Sequence, residues 1–242
     1  MDILGIRIDN LNMNEALDKA LLAIENKDSF KYLFTPNAEI CMSALKNSQL
    51  MEALNSSFLN IPDGEGVVLA SKILKTPLKE KVAGCELVQN ILNSQKTFSL
   101  YLLGASQESV EKAVEEIQIK YPQVKICGYR NGFFSSSDYE DIFADLNLKN
   151  PDLIIIGLGA PKQELFIYEN RDMFPKSLAI GAGGTIDIIS GYAKRAPEFF
   201  CKYKLEWFYR LLRQPKRFIR MLNIPVFLLK AFFNSFNIKR KT

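Results

Sequence analysis

The sequence predicts an α/β fold: a mostly parallel β-sheet with helices on both faces, followed by a basic, amphipathic helical appendage at the C-terminus. Short apolar runs alternate along the chain with segments of helical period. Several of these runs are apolar on both faces, as buried parallel strands are. The 242 residues, 48% of them hydrophobic and 24% charged, are enough for one large domain of this class.

The chain order of the elements indicates where a site should lie. Strands are expected at 3–8, 32–34, 58–61, 98–103, 124–127, 153–158 and 178–180. Helices are expected near 13–25, 37–54, 64–74, 85–95, 107–120, 138–148 and 162–170. Ligands of such sheets bind at the carboxyl ends of the strands, so the loops that follow strands are the places to look for chemistry.

Composition excludes several kinds of chemistry. The chain has no histidine, which removes Ser-His-Asp catalysis and histidine-containing zinc sites. Its cysteines, Cys41, Cys85, Cys127 and Cys201, are 44, 42 and 74 positions apart, which fits neither a CxxC site nor a disulfide framework. We expect free thiols in a reducing compartment. No window reaches the ~18 uncharged apolar residues of a spanning helix, and the N-terminus does not resemble a signal peptide, so a cytoplasmic location is expected.

Charge is distributed unevenly. Residues 195–242 carry 12 Lys and Arg against 2 Asp and Glu, whereas the first 194 residues carry 19 against 25. A basic tail on an acidic body indicates a polyanionic partner, either nucleic acid or an anionic membrane surface. Apolar residues at helical spacing in 205–222, and the apolar stretch 224–233, favour a helix in the membrane interface and no nucleic-acid partner. A helix pair packed on the domain with an exposed charged rim is the alternative.

Two post-strand loops carry candidate polar side chains. Thr35 and Asn37 stand at the start of a predicted helix, where an anion is favoured and both side chains could bond a ligand. Asn37 as a simple helix cap is the alternative. In the next such loop, the carboxylates Asp63 and Glu65 alternate with two glycines, and a carboxylate in a cleft can serve as a general base. The alternative there is that Asp63 caps a helix and Gly64 forms a turn.

Two further post-strand loops are rich in glycine: residues 156–164 are IGLGAPKQE and residues 180–187 are IGAGGTID. Backbone N–H groups of such turns can hold a diphosphate, with Lys162 neutralising it and Gln163 contacting a sugar or base. Neither loop is GxGxxG or GxxxxGK[ST], so neither specifies a dinucleotide or ATP. Tight packing of helix on strand explains either turn alone. Two of them in one sheet favour a nucleotide-type ligand across the strand ends.

Taken in order, these segments resemble the WecG/TagA/CpsF family, glycosyltransferase family 26. The matching stretches are TPNAEI at 35–40, PDGEGVV at 62–68, KVAGCELV at 81–88, GLGAPKQE at 157–164, GAGGTIDIISGYAKRAP at 181–197 and LEWFYRLLRQPKRFIRML at 205–222. Lys81 and Glu86 depart from the family, which usually has Arg and Asp there. The charges are kept, but Lys81 lacks the two-pronged phosphate binding of arginine.

The resemblance implies an inverting, metal-independent, UDP-sugar-dependent glycosyltransferase with a Rossmann-like domain and no cofactor. It would move N-acetylmannosamine or a related hexose to a polyprenyl-diphosphate-linked sugar, at the inner face of the membrane, in teichoic-acid, capsule or exopolysaccharide synthesis. Its catalytic aspartate corresponds to Asp63, which would deprotonate the acceptor hydroxyl while the UDP leaving group is stabilised on the opposite side. The chain has no DxD motif for a metal.

The expected substrate-binding residues follow from the glycine-rich turns and the resemblance together. They are Thr35, Asn37, Lys81, Gly159, Lys162, Gln163, Gly183, Gly184, Arg210, Arg217 and Arg220. The three arginines are expected to contact the acceptor's diphosphate at the level of the lipid headgroups. The expected division of the chain is a catalytic domain over 1–195 and a membrane-association and acceptor-binding appendage over 196–242.

Two other functions stay open. A soluble nucleotide-sugar-modifying enzyme, such as an epimerase or dehydrogenase, would use the glycine-rich turns for a dinucleotide, although the chain lacks GxGxxG. A membrane-surface scaffold would keep only a vestigial sugar-nucleotide pocket. The donor sugar, the acceptor, the pathway and the oligomeric state, with a homo-oligomer among the alternatives, are left open by the sequence.

Overall fold

A computed structural model describes residues 1–193 and 223–239 of the chain. Its centre is a six-stranded, all-parallel sheet, and a short antiparallel hairpin forms a second sheet. The hairpin consists of β1 (Asp2–Ile3) and β2 (Ile6–Arg7), and the sheet of β3 (Lys31–Phe34), β4 (Leu59–Asn60), β5 (Phe98–Gly104), β6 (Val124–Arg130), β7 (Leu153–Gly157) and β8 (Leu178–Gly181). The order across the sheet is β4-β3-β8-β7-β5-β6, which confirms the expected parallel α/β fold.

Helices follow the strands and cover both faces of the sheet. They are α1 (Met13–Glu25), α2 (Ala38–Ala44), α3 (Ser48–Ser56), α4 (Glu65–Ile73), α5 (Gly84–Leu92), α6 (Gln107–Lys120), α7 (Tyr139–Lys149), α8 (Lys162–Glu169), α9 (Thr185–Ile189) and α10 (Asn223–Lys239). Several begin where a polar side chain caps them: Asn12 and Glu15 form a capping box at α1, and Ser106 accepts a bond from the N–H of Ser109 at α6.

The expected single strand over 3–8 is wrong. Leu4 and Gly5 have φ values of 56° and 85°, which reverse the chain and pair Ile3 with Ile6 in a hairpin. The isoleucines Ile3, Ile6 and Ile8 are nevertheless all buried. The apolar pattern of residues 3–8 thus indicates burial, but it does not reveal the turn within this run.

The expected single helix over 37–54 is also wrong, because the structure has two helices there, α2 and α3. Asn47 separates them: its Oδ1 accepts a hydrogen bond of 3.0 Å from the N–H of Leu50 and starts a new helix. Asparagine caps a helix start better than it continues a helix, because its side chain competes for backbone N–H groups.

The sheet is buried on both faces. Alternate residues of β7 divide between two apolar clusters: Ile154 and Ile156 pack with α2, α3, α7 and α8, whereas Leu153 and Ile155 pack with α1, α5 and α6. This division accounts for strands that are apolar throughout rather than alternating.

Helix α10 packs against α2 and α4 and completes the core on that face. Phe227 and Ala231 are fully buried there, and Ile224 and Leu228 are partly buried against the same cluster. This agrees in part with the alternative of helices packed on the domain. No helix within the described ranges is both long and apolar enough to cross a membrane.

Candidate active site

The topology places crevices at the carboxyl ends of the central strands. The helices after β3 and β7 pack on one face of the sheet, and those after β8 and β5 pack on the other. When the helices that follow two neighbouring strands leave on opposite faces of the sheet, a crevice opens between the two loops. Open α/β sheets bind their ligands in such crevices. The candidate loops after β3, β7 and β8 therefore border the crevices.

The two glycine-rich turns, after β7 and β8, are in direct contact. A Cβ atom placed on Gly157 would lie 2.8 Å from the carbonyl oxygen of Gly183, so a side chain at position 157 has no room. The absence of a side chain at Gly157 thus lets one turn rest on the other. The tight packing that was expected as the alternative to ligand binding is therefore present. It also aligns the two turns along the edge formed by the strand ends.

Most amides of the turn after β8 are already used within the protein. The N–H of Ala182 donates to the carbonyl of Ile156 at 2.9 Å, and that of Thr185 donates to the carbonyl of Ala182 at 3.1 Å. The N–H of Gly183 donates to Oε1 of Gln163 at 3.0 Å. A Cβ atom on Gly184 would meet nothing within 4 Å, so the space beside this residue is open to a ligand within the described part of the chain.

The turn after β7 is shaped by Gly159, whose φ is +77°, and by a cis peptide bond between Ala160 and Pro161. Lys162 begins α8 and is exposed, with its Nζ atom 5.3 Å from the centre of the Phe134 ring. Its ammonium group thus lies at the strand-end edge, where a cation could meet a phosphate.

Gln163 and Glu164 are buried in the first turn of α8, with side chains 2% and 0% exposed. The Nε2 group of Gln163 donates to Oε1 of Glu164 at 2.9 Å. Burial raises the pKa of the Glu164 carboxyl to about 7, while the hydrogen bond from Gln163 opposes the rise. Its other oxygen, Oε2, has no hydrogen-bond partner in the described structure.

At the end of β3, Thr35 is 8% exposed and packs against the start of α5, where a Cβ atom on Gly84 would come within 2.7 Å of its Cγ2. Asn37 caps α2, since its Oδ1 accepts hydrogen bonds of 3.0 Å from the N–H groups of Glu39 and Ile40. The capping alternative is therefore confirmed for Asn37, and its role toward a ligand stays a prediction.

Asp63 lies between two loops that backbone bonds tie together. Its N–H donates to the carbonyl of Pro36 at 3.2 Å, and the carbonyl of Pro62 accepts from Val82 at 2.9 Å. The cap position of α4 belongs to Gly64, with φ of +87° and no capping side chain. The alternative that Asp63 caps this helix is thus wrong, and its carboxylate is not used as a helix cap.

Lys81 brings a positive charge to the same place. Its Nζ lies 3.9 Å from Oε1 of Glu65, the first residue of α4, and the two side chains are 20% and 31% exposed. Because the N–H of Val82 bonds to the carbonyl of Pro62, Lys81 and Asp63 lie on neighbouring segments of the chain beyond β4.

The two halves of the candidate site meet where β3 and β8 are paired. A Cβ atom on Gly181 would lie 3.1 Å from Cδ1 of Phe34, the residue before Thr35, and 3.3 Å from Nε2 of Gln163. The residue before Thr35 and the side chain of Gln163 thus both lie beside Gly181, at the end of β8. Arg210, Arg217 and Arg220 lie outside the described residues.

Sequence reasoning missed Glu164. The residue stands within the GAPKQE stretch, but nothing local distinguishes it from an ordinary exposed glutamate at a helix start. Only its burial, the unpartnered oxygen and the bond to Gln163 single it out.

Other groups within the described ranges give no second site. They contain no cluster of three or more Cys, Asp or Glu side chains placed to hold a metal ion. Cys41, Cys85 and Cys127 are in no disulfide within the described residues, as expected, and burial raises the pKa of Cys41 to about 12.

Comparison with known proteins gives a match over nearly the whole chain. The model of the glycosyl transferase WecG/TagA/CpsF family matches residues 1–241. The chain is 37% identical over 203 residues to a protein of Bacillus spizizenii, covering 83% of this chain and 77% of that protein. It is 35% identical over 236 residues to a protein of Staphylococcus aureus, covering 95% and 91%. Both relatives are named N-acetylglucosaminyldiphosphoundecaprenol N-acetyl-beta-D-mannosaminyltransferase.

Proposed function

This chain belongs to the WecG/TagA/CpsF family of glycosyl transferases, and from that premise we propose its reaction. It transfers N-acetylmannosamine, or a related hexose, from a UDP-sugar to a polyprenyl-diphosphate-linked sugar, with inversion at the anomeric carbon. The names of the relatives support this acceptor class and this sugar. The product is an intermediate of a cell-surface polymer such as teichoic acid, capsule or exopolysaccharide.

The donor's diphosphate lies beside the two glycine-rich turns. Support comes from the open space at Gly184 and Gly159, where a Cβ atom would meet no described residue within 4 Å, and from the exposed ammonium of Lys162. Amides and a cation can balance the charge that develops on the leaving UDP. The sugar then extends toward the end of β3, because β3 is paired with β8 in the sheet.

Asp63 is the general base. It removes the proton from the acceptor hydroxyl as that oxygen attacks the anomeric carbon, and the bond from this carbon to the UDP oxygen breaks on the opposite side. A single carboxylate suffices for an inverting transfer, since the leaving diphosphate needs no proton. Thr35, Asn37 and Lys81 bind the substrates around it.

Lys81 takes the part that arginine usually has in the family. Its ammonium can neutralise a phosphate as a point charge, but it cannot form the two parallel bonds of a guanidinium. The neighbouring carboxylate of Glu65, 3.9 Å away, keeps Lys81 close to the end of β4.

The enzyme is peripherally associated with the inner face of the membrane through residues from 196 onward. Helix α10 carries apolar side chains on its outer side, with Val226, Leu229, Phe232 and Phe233 between 43% and 64% exposed. Exposed apolar side chains on a helix of a basic segment are typical of interfacial helices. The inner side of α10 packs on α4, the helix that begins beside Asp63, so that membrane docking and the catalytic loop are linked.

The arginines Arg210, Arg217 and Arg220 bind the diphosphate of the acceptor. Because the acceptor is lipid-linked, this diphosphate lies at headgroup level, where a basic tail would be held on an anionic surface. The assignment of the three arginines rests on the family resemblance and on the charge of the tail, 12 Lys and Arg against 2 acidic residues.

The observation that carries the proposal is that Asp63 follows β4 and the two glycine-rich turns follow β7 and β8, all at the carboxyl edge of one parallel sheet in which β3 lies between β4 and β8. The chain belongs to this family of glycosyl transferases. The test is a screen of UDP-sugars with a short-chain polyprenyl-diphosphate-N-acetylglucosamine acceptor in anionic vesicles. We expect one sugar to be added, UDP to be released and the anomeric configuration to be inverted by NMR. Activity in EDTA tests metal independence. Conversion of a UDP-sugar that needs NAD and no acceptor would overturn the proposal.

A further inference from the structure

Glu164 is the most unusual ionisable group in the described structure outside the reaction proposed above. It is fully buried on α8, and the neighbouring Phe166 and Ile167 of the same helix are buried as well. One carboxyl oxygen accepts a hydrogen bond from Gln163, and the other has no partner in the described structure. A carboxyl in such surroundings is costly, and a leucine of similar size would avoid the cost of its burial. The residue therefore requires an explanation other than packing.

The hydrogen bond of Glu164 determines which way the amide of Gln163 faces. A carboxylate oxygen only accepts, so the Nε2 group of Gln163 faces Glu164 at 2.9 Å. A backbone N–H only donates, so Oε1 of the same amide faces Gly183 at 3.0 Å. The two contacts agree on one orientation, and together they form a relay from Glu164 through Gln163 to the turn after β8.

The relay ends at the part of the turn that borders the open space. Gly183 has φ of +51°, a left-handed conformation, and the next residue, Gly184, has open space beside it. A bond that holds the N–H of Gly183 therefore also determines the direction of the peptide that carries the N–H of Gly184. If that bond loosens, the turn loses one of the contacts that set its shape.

We propose that Glu164 is a positioning residue for the donor site: it orients the amide of Gln163, and through that amide it holds the turn at Gly183 and Gly184 in the form that binds the donor's diphosphate. This rests on the proposed function, which places the UDP-sugar at this turn. Glu164 touches no substrate in this proposal. It acts by preorganisation, which lowers the cost of ordering the turn when the donor binds.

The first experiment compares two replacements of Glu164 in the full-length protein. In Glu164→Leu the acceptor for Gln163 is lost, so UDP should bind about 3- to 10-fold more weakly, the effect of one hydrogen bond. The variant should unfold at the same or a higher denaturant concentration, because a buried carboxyl has been removed. In Glu164→Gln an oxygen acceptor remains, so UDP affinity should stay within about twofold of the parent value. If Glu164 served stability alone, a Glu164→Leu protein that is as stable as the parent would bind UDP as tightly as the parent.

The second experiment is a double-mutant cycle in UDP affinity. Gln163→Ala should itself weaken binding, and adding Glu164→Leu to it should cause little further loss, because Glu164 acts through Gln163. Glu169→Gln is the matched control, an exposed glutamate on the same helix. Tyr101→Phe controls for stability, since it removes a partly buried hydrogen bond to Asp145 on α7, outside the relay.

Amide hydrogen exchange at Gly183 reports on the relay without any ligand. Exchange should be faster in Glu164→Leu than in the parent protein and unchanged in Glu164→Gln. Parent-like exchange and UDP affinity in Glu164→Leu would overturn the proposal, as would additive losses in the cycle. Faster exchange with unchanged UDP affinity would show that the turn is held but is not the donor site. A parent protein that binds no UDP would overturn the proposed donor assignment itself, and exchange at Gly183 would still decide whether Glu164 holds the turn.

Discussion

At the scale of single residues, the carboxylates of the candidate site and its vicinity differ in their surroundings. Glu65 is paired with Lys81 and Glu164 is buried on α8, whereas Asp63 stands in the loop after β4 with its backbone held by Pro36. The helix that follows begins at a glycine cap, so the carboxylate of Asp63 is not needed to start it. A loop residue with a fixed backbone is well suited to present a base to an acceptor hydroxyl.

Replacing Asp63 by Asn should separate catalysis from binding. The amide keeps the size of the side chain but cannot take up a proton, so we expect kcat to fall roughly 10²- to 10⁴-fold while UDP-sugar affinity stays nearly unchanged. Steady-state kinetics and UDP titration measure the two effects. Glu65→Gln is the control, because its carboxylate is the nearest substitute in sequence. Near-normal turnover of Asp63→Asn would reject the role.

Glu164 should make stability depend on pH. Its pKa is raised by burial from 4.5 to about 7, so between these values the folded protein binds this proton more tightly than the unfolded chain does. The free energy of unfolding should therefore lose this contribution as pH rises from about 5 and level off above pH 7. Glu164→Gln cannot titrate and should lack this contribution. Urea unfolding of both proteins at pH 5, 6, 7 and 8 measures the difference, and parallel profiles would contradict the expectation.

At the scale of elements, a glycine's neighbours decide whether the position serves packing or binding. Gly157 supports the opposing turn directly, since a Cβ atom there would lie 2.8 Å from the carbonyl oxygen of Gly183. Gly184, in the turn it supports, faces open space within the described part of the chain. The two glycine-rich turns therefore show the packing, and at Gly184 they leave room for the ligand that we propose.

Gly184→Val should block the donor without unfolding the protein. Position 184 has φ of −81°, which any residue adopts, and space for a Cβ atom. The added methyl groups would occupy the place proposed for the diphosphate, so UDP affinity should fall at least about tenfold, or about 1.4 kcal/mol. Calorimetric titration and thermal unfolding check the two statements. Gly157→Ala is the contrasting variant and should lower the melting temperature instead. A folded Gly184→Val that binds UDP like the parent would refute this donor placement.

The two sides of α10 should behave differently. Replacing Leu229 and Phe233 together by Ser changes exposed side chains, so vesicle binding should weaken while the melting temperature stays close to the parent's. Phe227→Ala, in contrast, empties a fully buried position and should cost about 3–5 kcal/mol of stability. Sedimentation with anionic vesicles and urea unfolding give the two readouts. Undiminished vesicle binding by the Leu229 and Phe233 variant would remove α10 from the membrane contact.

At the scale of the whole molecule, charge is divided unevenly along the chain. The first 194 residues are net acidic and contain all the described parts of the candidate site, whereas residues 195–242 are strongly basic. Yet the tail is not separate from the body, because α10 buries Phe227 and Ala231 in the same core that lies under α2 and α4. Removing the tail therefore removes part of the packing.

Truncation after residue 195 should leave a domain that still binds UDP but has lost vesicle association and transfer. Because α10 contributes buried residues, the melting temperature should also fall. Arg217→Ala in the full-length chain is the milder variant and should impair transfer more than donor binding. Transfer to a lipid-linked acceptor, vesicle sedimentation and UDP titration measure these effects. Full transferase activity of the truncated protein would show that the tail serves packing alone.

The sequence by itself determined the alternation of strands and helices, the loops that carry the candidate residues and the uneven charge. These properties depend on neighbours within one or two turns of helix or a few residues of strand, so local pattern is sufficient for them. The local pattern did not predict the hairpin at 3–8 or the break at Asn47. A turn inside an apolar run and a cap inside a helical run each depend on single residues, and the periodicity averages over several residues.

Only the tertiary structure decided the strand order and therefore the composition of the site. Thr35, Asp63 and the two glycine-rich turns follow strands that end at one edge of the sheet because β3 is paired with β8, which follows more than 140 residues later and which no local pattern predicts. Burial of Glu164 is likewise a property of what packs around α8. Long-range pairing depends on how all the apolar faces can be covered at once, and that is a property of the folded chain rather than of any segment.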